Sequence, residues 1–158
     1  MTFALKQRAH YVDPKKSPRE GLVPVSDPNQ DKEPETVLVV DDEENVRQVL
    51  SWALGEAGYR VVFAANGEEA ISLLMENEGK IDFVVSDVQM PVKNGVEVLK
   101  FISTMEKAPQ VVMISAHSDL NYTQARAMGA ANLVAKPFSI GVLITALREA
   151  AANSKKVS

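Results

Sequence analysis

Three aspartates, one serine and one lysine occur where short apolar segments of this chain end. Asp41 and Asp42 follow the segment TVLVV, Asp87 follows DFVVS, Ser115 closes QVVMIS and Lys136 follows NLVA. Alone, each has an ordinary explanation, because aspartates often cap helices, loop serines are usually structural and lysines are usually solvated. Their recurrence at four segment ends is harder to explain by structure alone, and it favours a shared chemical site.

The chemistry of this group points to a divalent cation and a phosphoryl group. Three clustered carboxylates repel one another and take up protons unless a cation lies among them. Because the group offers hard oxygen ligands and contains neither histidine nor cysteine, it favours Mg²⁺, which binds one or two carboxylates together with phosphate oxygens. Mg²⁺ and the ammonium of Lys136 would balance the three negative charges. Such a site suits in-line attack by a carboxylate on a phosphoryl group whose oxygens the two cations hold.

The elements that must position these residues follow from the hydrophobic pattern. Segments that are apolar on both faces are typical of strands in a parallel sheet covered by helices, and helical patterns lie between and after them. The predicted strands are 36–40, 60–64, 82–86, 110–115 and 132–135, and the predicted helices are 43–57, one starting at the capping residue Asn66, 95–105, 118–128 and 139–151. This alternation predicts an α/β fold: a doubly wound (βα)5 sandwich, flavodoxin-like, with a central five-stranded parallel sheet.

In an open sheet of this kind the ligand site lies beyond the carboxyl ends of the strands. The five polar residues fall there. The second strand is followed only by Ala65 and Asn66, which predicts an edge strand outside the site. In the first helix an apolar stripe runs through Val46, Val49, Leu50 and Leu54, and Trp52 lies well off that stripe.

Composition narrows the class of protein. The 158 residues suffice for one domain, the net charge of −4 leaves no basic surface for nucleic acid, and the absence of cysteine excludes disulfides and thiolate metal sites. No segment has the length and apolarity of a signal peptide or a membrane span, so we expect a cytoplasmic protein. Residues 1–35 hold five of the eight prolines and predict a flexible arm or linker; residues 36–152 form the folded domain and 153–158 a short tail.

Four segments, VLVVDDE, VVSDVQMPVKNG, VMISA and LVAKPF, resemble the signature segments of the receiver domain of bacterial two-component response regulators. The resemblance extends over about residues 36–152 and agrees in order and spacing as well as in residue type. It implies that Asp87 accepts a phosphoryl group from a phosphohistidine of a histidine kinase or a histidine phosphotransfer protein. It also implies that Asp41, Asp42 and the backbone carbonyl of Gln89 bind Mg²⁺.

The same resemblance assigns two further roles. Ser115 matches the hydroxyl that turns toward the phosphoryl group on switching, and Lys136 matches the lysine that contacts this group. A cis bond between Lys136 and Pro137 is also implied. The protein would catalyse only its own phosphorylation and dephosphorylation, and is not expected to be an enzyme in the wider sense.

The chain departs from the family pattern at Leu133, where receivers usually carry Tyr or Phe. A leucine presents neither a ring nor a phenolic hydroxyl, so we expect phosphorylation to be retained while the output face switches weakly or differently; simple core filling is the alternative. Gln89 and His117 match positions that influence phosphate lifetime, although His117 has an equally good explanation as a plain loop histidine. Trp52 is either covered by a neighbouring helix or belongs to a surface that docks a partner kinase.

Other functions fit the sequence less well. A flavin or nucleotide site would need a phosphate-binding loop after the first strand, where two acids stand instead. A phosphatase of the haloacid dehalogenase type would need a second aspartate at the position of Gln89. The expected role is a stand-alone response regulator that docks to an unidentified downstream protein, without direct contact to nucleic acid or membrane. The alternatives are a receiver excised from a hybrid histidine kinase or larger regulator, and a binding module that works without phosphorylation.

Overall fold

A computed structural model of the chain describes residues 32–116 and 120–157, and from Glu35 onward these residues form one compact unit. The predictions for residues 1–31, for His117 and for a helix start at Ser118 lie outside the described residues. In chain order the elements are β1 (Thr36–Val40), α1 (Glu44–Glu56), β2 (Arg60–Ala64), α2 (Gly67–Glu76), β3 (Phe83–Asp87), α3 (Gly95–Ile102), β4 (Gln110–Ser115), α4 (Tyr122–Ala127), β5 (Asn132–Ala135) and α5 (Ile140–Val157).

The five strands form one parallel sheet in the order β2-β1-β3-β4-β5. The chain therefore winds outward in one direction from β1 to β2 and in the other direction from β3 to β5. This is the predicted doubly wound α/β sandwich, with β2 at the edge as expected. The predicted third strand is displaced by one residue, since it begins at Phe83 and includes Asp87.

Two hydrophobic layers, one on each face of the sheet, follow from the alternation of side chains along the strands. On one face Leu38 and Val84 pack with residues of α2 and α3, and on the other Val37 and Val85 pack with residues of α1 and α5. Both layers exclude water from the central strands, so a charged residue at their ends lies beside an apolar core. Among the described residues, no helix is both long and apolar enough to span a bilayer.

Helix ends differ from the predictions where small polar residues compete with the helical hydrogen bonds. Helix α3 stops at Ile102 rather than residue 105, because the hydroxyls of Ser103 and Thr104 donate to backbone carbonyls of the preceding turn at 2.6 Å. Helix α4 begins at Tyr122, where Asn121 and Gln124 form a capping box. In α1 the predicted stripe is correct for Leu50 and Leu54, which are buried.

Val49 is the exception on α1, with 56% of its surface exposed. It lies about 100° around the helix from Leu50, at the margin of the buried face. Val49 is thus part of the apolar stripe of α1, but it is not buried.

Candidate functional site

The site forms where the order of the strands reverses, between β1 and β3. The two strands are paired, with Val40 opposite Ser86, so the residues that follow these positions come together at the carboxyl edge. Asp41 directly follows β1 and Asp87 is the last residue of β3. In doubly wound sheets this reversal opens a crevice in which ligands bind. Two of the predicted carboxylates therefore lie side by side because of the sheet topology.

Three carboxylates meet in this crevice. One oxygen from each of Asp41, Asp42 and Asp87 can be chosen so that all lie within 4.8 Å of one another. Asp41 is only 1% exposed and Asp87 is also buried, whereas Asp42 is open to solvent. The cluster thus has two members embedded in protein and one at the mouth. The structure thus brings together the three carboxylates that the sequence singled out.

Lys136 reaches the same crevice from the end of β5. Its Nζ lies 2.7 Å from Oδ2 of Asp87, and its backbone N–H donates to the carbonyl of Ser115 at 2.8 Å. The peptide bond from Lys136 to Pro137 is cis, as the family resemblance implied. The lysine is therefore attached to the end of β4 by its backbone and to the end of β3 by its side chain.

Burial and neighbouring charges shift the pKa values of Asp41 and Lys136. Burial raises the pKa of the Asp41 carboxyl, and the charges of Asp87 and Asp42 raise it further, against the lowering effects of the Glu43 amide and of Lys136. Burial by itself lowers the pKa of the Lys136 ammonium, but the hydrogen bond and charge of Asp87 outweigh this and raise it. Lys136 accordingly stays charged, while the negative charge of Asp41 is poorly compensated.

This electrostatic imbalance fits a bound divalent cation. A buried carboxylate that resists ionisation beside two others is relieved when a cation lies between them. The donors are all carboxylate oxygens, and one of them is at the mouth where coordinated waters have room, which suits Mg²⁺. The residues present are therefore compatible with the magnesium site that the sequence predicts.

Backbone groups hold the two buried carboxylates in place. Oδ1 of Asp41 accepts the N–H of Glu43 at 2.9 Å, and Oδ1 of Asp87 accepts the N–H of Gln89 at 3.1 Å. Sequence reasoning missed a further contact, in which Nη1 of Arg47 donates to the backbone carbonyl of Asp41 at 2.8 Å. The only sequence signal for it is an arginine near the start of α1, on the flank next to the site.

The remaining residues predicted from the sequence lie on β4, on β5, on α1 and in the loop after Asp87. Ser115 is buried at the end of β4, the strand next to β3, while the side chain of Gln89 is exposed in the loop after Asp87. Leu133, in β5, is half-buried and packs against the hydrophobic layer that contains Met113. Trp52 lies on α1 and is 50% exposed, so neighbouring helices leave half of it uncovered.

An apolar groove of about 640 Å³ runs beside the site between α1 and the start of α5. Lys136 and Glu43 line the end of the groove that adjoins the carboxylates. Further along, its walls are apolar side chains that sequence reasoning assigned to the core or did not consider: Val46, Val49, Leu50, Pro137, Phe138 and Ile140. This explains the exposure of Val49, which faces the groove.

Comparison with known proteins agrees with this geometry. The family profile described as response regulator receiver domain matches residues 37–148. The chain belongs to this family. Receiver domains act in two-component phosphorelay as signalling modules rather than as conventional enzymes, and they generally bind Mg²⁺ at an acidic pocket, of which this receiver has the carboxylates.

Individual relatives and solved structures give the same result. This receiver is 31% identical over 112 residues to the transcriptional regulatory protein CpxR of Escherichia coli, an alignment that covers 71% of the chain and 47% of CpxR. It therefore spans about half the length of that relative. Over 116 residues it is 29% identical to sporulation initiation phosphotransferase F of Bacillus subtilis, covering 73% of the chain and 92% of that protein.

Among solved structures, a response regulator receiver domain protein from Clostridium thermocellum matches with a TM-score of 0.73 at 29% identity, covering 78% of this chain and 99% of that one. Chemotaxis protein CheY4 of Vibrio cholerae matches with a TM-score of 0.65 at 31% identity, covering 74% of this chain and 98% of that one.

Proposed function

We propose that this receiver accepts a phosphoryl group on Asp87 from a phosphohistidine, in a reaction that requires Mg²⁺. The observation that carries the proposal is the 2.7 Å ion pair between Lys136 and Asp87, set within a cluster of three carboxylates. A buried aspartate that has one cationic partner and two acidic neighbours is prepared to receive an anionic group together with a metal ion. Asp82, just before the other end of β3, belongs to no such cluster of three carboxylates among the described residues.

In this proposal Asp41, Asp42 and the backbone carbonyl of Gln89 hold the metal ion. Bound Mg²⁺ supplies neutralising charge to the oxygens of the incoming phosphoryl group. An oxygen of the Asp87 carboxylate attacks phosphorus in line while the bond from phosphorus to the donor imidazole nitrogen breaks. The bonding electron pair leaves with that nitrogen, and the imidazole takes its proton from solvent.

Lys136 and Ser115 bind the phosphoryl group, Lys136 during its transfer and Ser115 once it is on Asp87. The ammonium of Lys136 is held charged by Asp87, and it exchanges its carboxylate partner for a phosphoryl oxygen. Ser115, at the end of the neighbouring strand, donates its hydroxyl to another phosphoryl oxygen. Gln89 flanks this position and tunes access of the hydrolytic water, a role that we extend to His117.

The partner in this reaction is a histidine kinase or a histidine phosphotransfer protein. Its surface has to cover the crevice, and the apolar groove between α1 and α5 continues from that crevice. We assign Trp52 to the same docking surface because it is half exposed on α1. The phosphorylated receiver then acts by docking to a downstream protein. The net charge of −4 argues against direct binding to nucleic acid.

A phosphorylation assay with acetyl phosphate and Mg²⁺, read by intact-protein mass spectrometry, tests this function. The wild type is expected to gain one acid-stable, base-labile phosphoryl group, and Asp87→Asn is expected to gain none. Asp82→Asn is the matched control, since Asp82 precedes the same strand at its opposite end. Phosphorylation of Asp87→Asn at the wild-type rate would refute the assignment, as would a wild type that reacts equally well in excess EDTA.

A further inference from the structure

Gly67, the first residue of α2, lies in unusually close contact with the loop that follows Asp87. A Cβ atom at this glycine would overlap the carbonyl oxygen of Lys93 and lie 2.8 Å from the carbonyl carbon and the Cβ of the same residue. The N–H of Gly67 also donates to the carbonyl of Val92 at 3.0 Å. Only a residue without a side chain allows these two stretches of backbone to approach so closely.

The loop is held equally tightly at its other end. The N–H of Gly95 donates to the carbonyl of Val88 at 3.0 Å, and a Cβ at Gly95 would overlap the carbonyl oxygen of Asp87. Between these contacts Lys93 adopts a φ of 47°, a left-handed conformation that is uncommon for a residue other than glycine. The loop 88–94 is thus fixed by backbone contacts near both of its ends.

This loop carries the groups that set the geometry of the acceptor. The N–H of Gln89 donates to Oδ1 of Asp87 at 3.1 Å, and the proposed function makes the carbonyl of Gln89 a ligand of Mg²⁺. A displacement of the loop at Val92 and Lys93 would be transmitted over three to four residues to Gln89. Neighbours that orient metal ligands typically change metal affinity by about 10-fold to 100-fold when they are altered.

We propose that Gly67 is a positioning residue for the phosphoacceptor site: the start of α2 clamps the loop 88–94 and so holds Gln89 and Asp87 in the geometry that binds Mg²⁺. The inference rests on the proposed function. It gives the edge unit of β2 and α2 a role in the site, although β2 contributes no polar side chain to it. Binding of the metal and the packing of α2 are then coupled, and the coupling acts in both directions.

Substitution of Gly67 by alanine tests the clamp, with Mg²⁺ affinity measured by isothermal titration calorimetry at pH 7. The dissociation constant of Gly67→Ala is expected to rise by about 10-fold or more. Gly58→Ala is the matched control. Gly58 has a φ of 101°, so alanine is strained there by the backbone conformation. A Cβ at Gly58 would meet no atom within 4 Å, unlike a Cβ at Gly67. Gly58→Ala therefore loses stability and is expected to keep its Mg²⁺ affinity within about twofold of the wild type, well below the effect of altering a ligand neighbour.

Urea unfolding of both variants separates a positioning role from a merely structural one. A rise in the dissociation constant that appears in Gly67→Ala and not in an equally destabilised Gly58→Ala supports the clamp. A folded Gly67→Ala that binds Mg²⁺ as tightly as the wild type overturns it. If the wild type itself binds no Mg²⁺, the proposed function fails, and with it the premise of the clamp.

Amide hydrogen exchange of the wild-type protein provides a test that does not depend on a variant that folds. Saturation with Mg²⁺ is expected to slow exchange of the Gly67 amide by about fivefold or more, because coupled sites stabilise each other. The Gly129 amide, which donates to the carbonyl of Arg126 at 3.0 Å at the end of α4, is the reference and should not respond. Equal exchange rates at Gly67 with and without bound Mg²⁺ would contradict the proposal.

Discussion

The two ends of β3 each have an aspartate, and the surroundings of the two carboxylates are opposite. At the amino end, Oδ2 of Asp82 accepts the N–H of Thr36 at 2.8 Å, and the backbone of Asp82 bonds to Thr36 and Gln110 at 2.9 Å. Asp82 therefore ties together the beginnings of three neighbouring strands. At the carboxyl end, Asp87 is buried, shares its crevice with two other carboxylates and pairs with Lys136.

The same residue type thus stabilises the fold at one edge of the sheet and lies in the proposed phosphoacceptor site at the other. The Asp82 carboxylate is exposed and its charge is hydrated, so its hydrogen bond to a backbone amide contributes to stability. At the carboxyl edge the buried charge of Asp41 raises the free energy of the folded state, because burial and like charges both disfavour it. In the proposed function, the folded state is less stable at the edge that receives a cation and a phosphoryl group.

The largest expected effect comes from removing the positive charge of Lys136 at the carboxyl edge. Lys136→Met is expected to slow phosphorylation by acetyl phosphate by about 100-fold, since a preorganised charge that faces a developing anion contributes about that much to a rate. The measurement is the initial rate at saturating Mg²⁺. Lys107→Met is the matched control, because Lys107 is an exposed lysine that lines the same pocket as Asp82 near the amino edge. Equal rates for the two variants would remove the distinction between the edges.

The second prediction concerns the free energy of unfolding, which is expected to change in opposite directions when an aspartate is replaced at the two edges. In metal-free protein Asp41→Asn is expected to raise the free energy of unfolding by on the order of 1 kcal/mol, because it removes an uncompensated buried charge while the amide oxygen still accepts the Glu43 amide. Asp82→Ala is expected to lower it by about 1 kcal/mol, because it removes the acceptor of the Thr36 amide. Urea unfolding at pH 7 in EDTA measures both values.

The stabilisation by Asp41→Asn should depend on pH. The folded-state pKa of Asp41 is raised above its unfolded value of 3.8, so the folded protein binds the proton more tightly than the unfolded chain does. The stabilisation that comes from this tighter proton binding is fully present below pH 3.8 and is lost as the pH rises through the folded-state pKa. The advantage of the asparagine variant should therefore vanish near pH 3.8 and be largest at neutral pH. An advantage that grows on acidification would contradict the assigned cause.

The positions of most residues at the carboxyl edge could be predicted from the sequence, because they depend on the local hydrophobic pattern and on the topology of the sheet. Apolar segments ending in Asp41, Asp87 and Lys136 identify strand ends, and a parallel sheet brings such ends to one edge whatever the details of packing. The fold, the edge position of β2 and the convergence of the three carboxylates follow from this rule.

The unpredicted features depend on contacts between segments that are distant in the chain. The approach of Gly67 to Lys93 is invisible in the sequence, where Gly67 looks like an ordinary helix start. The exposure of Val49 arises because α1 and α5 leave a groove between them, which no helical periodicity indicates. The start of α4 at Tyr122 is an exception, because the capping-box spacing of Asn121 and Gln124 is visible in the sequence.

A third prediction concerns how far the conformational change caused by phosphorylation extends from the carboxyl edge. Leu133 lies in β5 beside Met113 of β4 and has no ring to follow a movement of Ser115. Leu133→Tyr is therefore expected to enlarge the response of β5 and α5 to a phosphate mimic such as beryllium fluoride. Amide exchange with and without the mimic measures the response, and coupling energies of this kind correspond to changes of about fivefold or more. The Thr36 amide, held by Asp82, is the internal reference for the amino edge.

A wild-type response in β5 and α5 as large as that of Leu133→Tyr would contradict this prediction. The effect of phosphorylation would then reach β5 and α5 without an aromatic side chain at this position. Leu133 would serve only to fill the core.

The last prediction concerns the surface around the carboxyl edge. Trp52→Ala should leave phosphorylation by acetyl phosphate unchanged, because a small donor needs no protein surface, and should weaken phosphotransfer from a phosphohistidine protein. Truncation of a half-exposed aromatic at an interface costs about 1–2 kcal/mol, which corresponds to roughly 5-fold to 30-fold in the apparent KM for the donor protein. Phe63→Ala is the matched control, since Phe63 is 53% exposed on the edge strand β2. Equal losses in both variants would assign the effect to general surface apolarity, whereas a loss confined to Trp52→Ala places the donor on the α1 side of the crevice.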